Sequence, residues 1–155
     1  MFSNVFVIQL LDYLDYNLYK RITMDELSQS FHYHKDYIMR VFKREIHMTI
    51  IDYMNQKRIY HSLDSLKYSN QSILTVALNY GFTSLEYFSE TFHHVMGVSP
   101  SVYRSFVNHS TTISEGDVIV IQDHLASISS NLKRIEVYRQ NTPPQSMVKI
   151  ISIFK

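Results

Sequence analysis

The 155-residue chain has no cysteine, which excludes a disulfide framework and any thiolate metal site. It has only three glycines and three prolines. So few chain breakers suit a helical protein with short connections. No apolar run approaches the roughly 20 residues that cross a bilayer. The opening stretch, MFSNVFVIQLLDYL, lacks the basic leading region and small-residue cleavage site of a secretory signal. No glycine-rich loop is there to cradle a phosphate. Serines, histidines and acids are scattered, with neither a nucleophile–base pair nor paired carboxylates. The expectation is a soluble cytoplasmic protein that is not an enzyme, carries no cofactor and does not enter a membrane.

Among what is present, apolar residues make up 45% of the chain, enough for a true core. The net charge of +1 hides an uneven distribution: Lys35–Arg58 holds six Lys/Arg against three Asp/Glu, whereas Ile73–Arg104 holds one Arg against two Glu. The chain is organised around Thr49–Tyr68, which has no Gly or Pro and carries Ile50, Tyr53, Met54, Ile59, Leu63 and Leu66 at helical spacing. The segments flanking it match. Laid on one another at a fixed offset, Tyr37 falls on Tyr87, Ile38 on Phe88, Phe42 on Phe92, His47 on Gly97, Met48 on Val98, Thr49 on Ser99 and Tyr53 on Tyr103. Such self-similarity marks a duplicated unit, so a long helix is expected to separate two copies of one small module.

In chain order, Asn4–Tyr19 places Val7, Leu10, Leu11, Leu14 and Leu18 on one helical face. Thr23 with Glu26 has capping-box spacing and predicts a short helix over about Met24–Ser30. Phe31–His34 reads as a turn, and Lys35–Ile46 as a helix burying Tyr37, Ile38, Val41 and Phe42. Two helices joined this tightly make a helix-turn-helix. Thr49 with Asp52 repeats the cap signal, and Ser69–Ser72 breaks the central helix. Ile73–Tyr80 reads as another short helix ended at Gly81. Thr83 with Glu86 again has capping-box spacing and opens a helix to about Met96. Gly97 ends it, and Ser99-Pro100 starts the next with a hydroxyl cap and a first-turn proline.

These residues carry a resemblance. Ala77–Arg104, ALNYGFTSLEYFSETFHHVMGVSPSVYR, is similar to the second helix-turn-helix of the AraC/XylS transcription regulators, where GF, an aromatic pair, GV, [ST]P and YR follow in this order and spacing. Ile22–Leu27, Arg40–Glu45 and Met48–Ile59 resemble the first, and the likeness covers roughly Asn4–Arg104. It implies an all-α fold with two helix-turn-helix subdomains on a long central helix, double-stranded DNA as partner and, in activators, contact with RNA polymerase. The expected division is a DNA-binding domain over residues 1–105 and a C-terminal helical extension over 106–155. The DNA-binding unit begins almost at Met1 and the tail is too small for a ligand pocket, so control is expected through abundance or through the tail.

A helix reads the major groove with the exposed side chains of its N-terminal part. With Tyr37, Ile38, Val41 and Phe42 inside, Asp36, Met39, Arg40 and Lys43 form one outward stripe. Arg40 suits a guanine edge, which it can bond twice, and Met39 suits a thymine methyl. Lys35, Lys43 and Arg44 suit phosphates. The resemblance implies base contacts at Asp36, Met39 and Arg40. On the second copy, burying Tyr87, Phe88 and Phe92 leaves Leu85, Glu86, Ser89, Glu90 and His93 outside. Glu90 and His93 stand where the family usually carries polar or basic residues. A carboxylate there is repelled by phosphates but can accept from cytosine N4, so this half either reads a C-containing step weakly or serves as scaffold. His93 and His94 are phosphate donors when protonated. His32 and His34 depart from the small residue and capping serine usual in the family, and His47 from the usual glycine. His32-Tyr-His34 offers two imidazoles and no third ligand, so polar turn residues are expected there rather than a metal site.

Beyond Ser105, Ser114 with Asp117 marks a helix start. Val118, Ile121, Leu125, Ile128, Leu132 and Ile135 then recur in a heptad seam. Two uses are open: a homodimer through the 114–140 helix, or packing of that helix on its own domain, which is the expectation. Thr142-Pro-Pro144 ends it, and Met147–Phe154 reads as a short strand or extended segment.

Overall fold

The structure, a computed structural model, describes residues 2–109 and 113–141. Among these residues it is all helix: α1 (Phe2–Tyr16), α2 (Met24–Phe31), α3 (Lys35–Ile46), α4 (Ile50–Tyr68), α5 (Ile73–Asn79), α6 (Leu85–Met96), α7 (Pro100–Val107) and α8 (Glu115–Gln140). None of them is long and apolar enough to cross a membrane. The expected helix end at Thr142–Pro144 and the extended segment at Met147–Phe154 lie outside the described residues.

Hydroxyl and imidazole caps set most of the helix starts. At α2 the box is complete: Glu26 N donates to Thr23 Oγ1 at 3.2 Å and Thr23 N donates to Glu26 Oε2 at 2.6 Å. This reciprocal pair satisfies two amides that the first turn leaves without partners. His34 caps α3, its Nδ1 accepting from Asp36 N at 3.3 Å. Thr49, Ser72 and Ser99 cap α4, α5 and α7, and Ser114 Oγ accepts from Asp117 N at the start of α8. The cap of α6 corrects the sequence reading. It is Ser84, not Thr83, and its hydroxyl accepts from Tyr87 N. Glu86 therefore sits one position too early to return the bond. Ser84 matches His34, the cap of α3, at the offset of 50.

The chain forms two compact units, one from the segment up to Met54 together with the part from Lys133, the other from Asn55–Leu132. Within the first, α1 buries Val7, Leu10, Leu11, Leu14 and Phe6 against Leu27 and Phe31 of α2, Ile38, Val41, Phe42 and Ile46 of α3, and Tyr53. Within the second, Ile59, Leu63 and Leu66 of α4 meet Val76 and Ala77, Phe88, Phe92 and Met96, and Tyr103. The duplication holds residue by residue at an offset of 50. Ile38 and Phe88, Phe42 and Phe92, and Ile46 and Met96 are all fully buried. His47 and Gly97 both end their helices in the left-handed region, at φ 65° and 77°. Thr49 and Ser99 both cap the next helix.

The heptad seam of α8 is spent inside the chain. Ile121 and Ile128 belong to the second unit's core and Ile135 to the first's. For these three isoleucines this is intramolecular packing, the expected of the two uses, and Leu125 and Leu132 are half-buried against the second core. The end of α8 is also fastened by polar bonds: Arg134 donates to the carbonyl of Ile46 at 2.7 Å, and Arg139 pairs with both Asp12 and Asp15 of α1.

Candidate nucleic-acid interface

The outer face of α3 follows from what its inner face buries. Ile38, Val41, Phe42 and Ile46 point into the first core, while Tyr37 is only half-buried. Asp36, Met39, Arg40 and Lys43 therefore stand on the opposite stripe and are exposed, as is Arg44. Their surroundings differ. The Arg40 guanidinium lies 5.9 Å from the centre of the Tyr37 ring, a cation–π contact that holds it near the start of the helix. Lys35 is half-buried and paired with Asp25 of α2, and Arg44 Nε meets Glu45 at 3.1 Å. Such exposed pairs are worth little, so both cations can exchange their partner for a phosphate. Lys43 has no ion partner among the described residues. The structure thus brings all six sequence-selected residues of the first half to one helix and its first turn. The short turn before it is stiffened by His32, left-handed at φ 58°, and by Tyr33, whose ring packs on Phe6 and Tyr37 at 4.8 and 4.9 Å. His32 and His34 are thereby a helix end and a helix cap, and among the described residues no group of three metal-binding side chains occurs.

On α6 the inner face is Phe88, Thr91, Phe92, Val95 and Met96. Leu85, Glu86, Glu90, His93 and His94 are exposed and Ser89 is half-buried. Tyr87 was expected inside and is not: it is 38% exposed. Its ring leans on Phe82 and its hydroxyl accepts from Asn55 Nδ2 at 3.0 Å. The hydroxyl finds this polar partner at the rim of the second core. Sequence reasoning missed Tyr87 as part of the outer face. The signal was its polar tip, which the two phenylalanines of the same helix do not have. At the offset of 50, Glu90 is the counterpart of Arg40 and His93 that of Lys43. The two outer faces are thus alike in geometry and opposite in charge at one matched position.

Comparison with known proteins places this arrangement. A family model described as a helix-turn-helix domain matches residues 27–105. The HTH-type transcriptional activator AarP of Providencia stuartii is 30% identical over 103 residues, covering 66% of this chain and 76% of that protein. The chain belongs to the AraC/XylS family. Like others of the AraC/XylS family it is a DNA-binding helix-turn-helix transcription regulator, and its relatives are regulators rather than enzymes. The multiple antibiotic resistance protein MarA of Salmonella typhimurium is 30% identical over 95 residues, 61% of this chain and 75% of that protein. The melibiose operon regulatory protein of Escherichia coli is 31% identical over 102 residues, but the match spans only 34% of its length. The fold recurs in the DNA-binding domain of AdpA, a global transcriptional factor solved in complex with a target DNA, with a TM-score of 0.61 at 18% identity, over 66% of this chain and 93% of that one.

Proposed function

We propose that this AraC/XylS protein activates transcription by sequence-specific binding to duplex DNA, with α3 lying in the major groove. The carrying observation is the exposed stripe of Met39, Arg40 and Lys43 along the outer face of α3, with Lys35 in its first turn and Arg44 in its last. In this reading Arg40 takes a guanine edge, Met39 a thymine methyl, and Asp36 accepts from a cytosine or adenine amino group. Lys35, Lys43 and Arg44 hold phosphates and so set register and orientation. On α6, Leu85, Glu86, Ser89, Glu90 and His93 meet the duplex more weakly, because Glu86 and Glu90 face a polyanion. Residues 1–105 form the DNA-binding domain, and residues 106–155 are an extension whose α8 supplies core residues to both units. Activation is in keeping with AarP, which is named a transcriptional activator, and contact with RNA polymerase is the route this reading gives it.

A second reading is favoured by the outer face of α6, where Leu85 and Tyr87 are exposed beside Glu86 and Glu90: a protein-interaction module derived from this fold that modulates another regulator with weak or no DNA binding. Gel shifts on duplexes selected from random sequence separate the two. The DNA-reading protein loses affinity steeply with salt, with a log–log slope of roughly −0.9 per phosphate neutralised, and prefers its selected site over random duplex. A flat salt profile with no preference sinks the first reading and leaves the second.

A further inference from the structure

A groove of about 380 Å³ opens beside α3 in the first unit, within the size range of small-molecule sites. Its walls are mainly apolar, with Met24 and Leu27 from α2, Met39 from α3, and Ile51 and Met54 from α4. Three of these are methionines, whose unbranched thioethers adapt to ligand shape. Ile51 is 57% exposed and Met39 45%, so apolar surface on these walls is left to water. The lining also includes one cation, Lys43, and no ion partner occupies it among the described residues.

We propose that this groove binds a small amphipathic anion, with an apolar chain among the methionines and its carboxylate on Lys43 Nζ. The charge decides the class. A neutral ligand covering Lys43 strips water from an ammonium without replacing it. An anion supplies a charge-assisted hydrogen bond in the same place, and a cation is repelled. Met39 and Lys43 belong both to the groove and to the outer stripe of α3. A bound anion therefore takes Lys43 away from phosphate, and ligand and DNA exclude one another. That second consequence rests on the reading of α3 given above.

The test uses the full chain and decanoate below its micelle-forming concentration, with decanol and decylamine as uncharged and cationic controls. In a spectrum of ¹³C-methyl methionine, decanoate shifts the Met24, Met39 and Met54 resonances saturably and leaves Met96, in the second core, unmoved. Decanol binds at least about tenfold more weakly, the worth of a hydrogen bond to a charged group, and decylamine more weakly still. Ile51→Glu puts a carboxylate on the wall and abolishes decanoate binding with an unchanged helical circular dichroism spectrum. Lys43→Gln removes the preference for decanoate over decanol while keeping the affinity for decanol. The proposal is overturned by the absence of saturable shifts, by equal affinity for the three probes, by shifts centred on Met96, or by full decanoate affinity in Ile51→Glu. Saturating decanoate also weakens DNA binding severalfold. Saturable decanoate binding with no effect on DNA upholds the groove and counts against α3 as the DNA-reading helix.

Discussion

Gly97 and His124 share a space that admits only one side chain. A Cβ on Gly97 would stand 2.7 Å from His124 Cε1 and 2.4 Å from Val120 Cγ1, and His124 is itself held by Nδ1 against the carbonyl of Val120 at 2.8 Å. Gly97 also has φ +77°, where a side chain costs about 1–2 kcal/mol. His47 pays the same backbone cost at the matching position but is exposed, with φ 65°. Gly97→Ala should therefore lose about 2–4 kcal/mol in urea unfolding, adding overpacking of α8 to the backbone cost. His47→Gly should gain up to about 1 kcal/mol. A loss no larger than the backbone cost of about 1–2 kcal/mol for Gly97→Ala would show that α8 does not pack here.

Arg139 carries the end of α8. Its guanidinium bonds Asp12 and Asp15 and lies 3.3 Å from the Tyr53 hydroxyl, to which it donates. The cluster is unequal. Burial alone would lower the Arg139 pKa, but Asp15, Tyr53 and Asp12 together raise it. Asp12 is also raised above its ordinary 3.8, because burial outweighs the lowering effect of Arg139. A carboxyl whose folded pKa exceeds its unfolded value stabilises the fold fully below the unfolded value. That contribution is lost as pH rises through the folded value. Arg139→Met leaves Asp12 and Asp15 facing each other without a cation and drives Asp12 higher still. The variant should lose about 2–4 kcal/mol at neutral pH. The deficit should narrow as pH falls from above the raised Asp12 value toward 3.8, when protonation relieves the pair. Urea titrations of both proteins across that window check this; a deficit that widens in acid refutes it.

Tyr53 and Tyr103 occupy matched positions and are both buried, yet only one carries a structural hydrogen bond to a carboxylate. Tyr53 donates to Asp15 Oδ1 at 2.5 Å, and burial with that neighbouring carboxylate pushes its hydroxyl above the usual phenol range. For Tyr103 the contacts are rings, Phe92 at 5.8 Å and Phe106 at 6.2 Å. Tyr53→Phe should cost about 1.5–3 kcal/mol, since a bond to a charged acceptor is lost. Tyr103→Phe should change stability by less than about 0.5 kcal/mol. Equal costs would mean that the hydroxyl of Tyr53 contributes nothing.

Local chemistry made much of this legible in advance. The span of α3, Lys35–Ile46, follows from its apolar spacing, and the caps at Thr23, Thr49 and Ser99 follow from side chains that accept from first-turn amides; Ser72, read only as part of a helix break, caps α5 as well. What failed was not settled by local spacing. Ser84, the counterpart of the α3 cap His34, and not Thr83, caps α6, so hydroxyl-to-acid spacing alone put the start one residue early. The seam of α8 was visible, but a 3.5-residue period looks the same whether it meets a second copy or the chain's own cores. The groove beside α3 had no linear signature, because Met24, Met39 and Met54 come together only when three helices pack.

The charge reversal between the two outer faces gives the decisive experiment on DNA. Arg40→Ala removes a bidentate donor and should cost about 1–3 kcal/mol on the selected site, with sequence preference relaxed at that base pair. Lys43→Ala should weaken selected and random duplexes alike and lower the salt slope by about 1. Glu90 stands where α6 repeats Arg40, and exposed there it repels phosphate with little cost to the fold. Glu90→Arg should therefore raise affinity for all duplexes and steepen the salt slope by about 1, as one more phosphate is neutralised. If α6 lies clear of the duplex, Glu90→Arg changes affinity only through the long-range field, an effect that fades once the Debye length falls below about 10 Å near 0.1 M salt. Titrations at low and moderate salt separate the two. A gain that persists at 0.15 M places α6 against DNA, and one that vanishes there leaves α3 to read the operator alone.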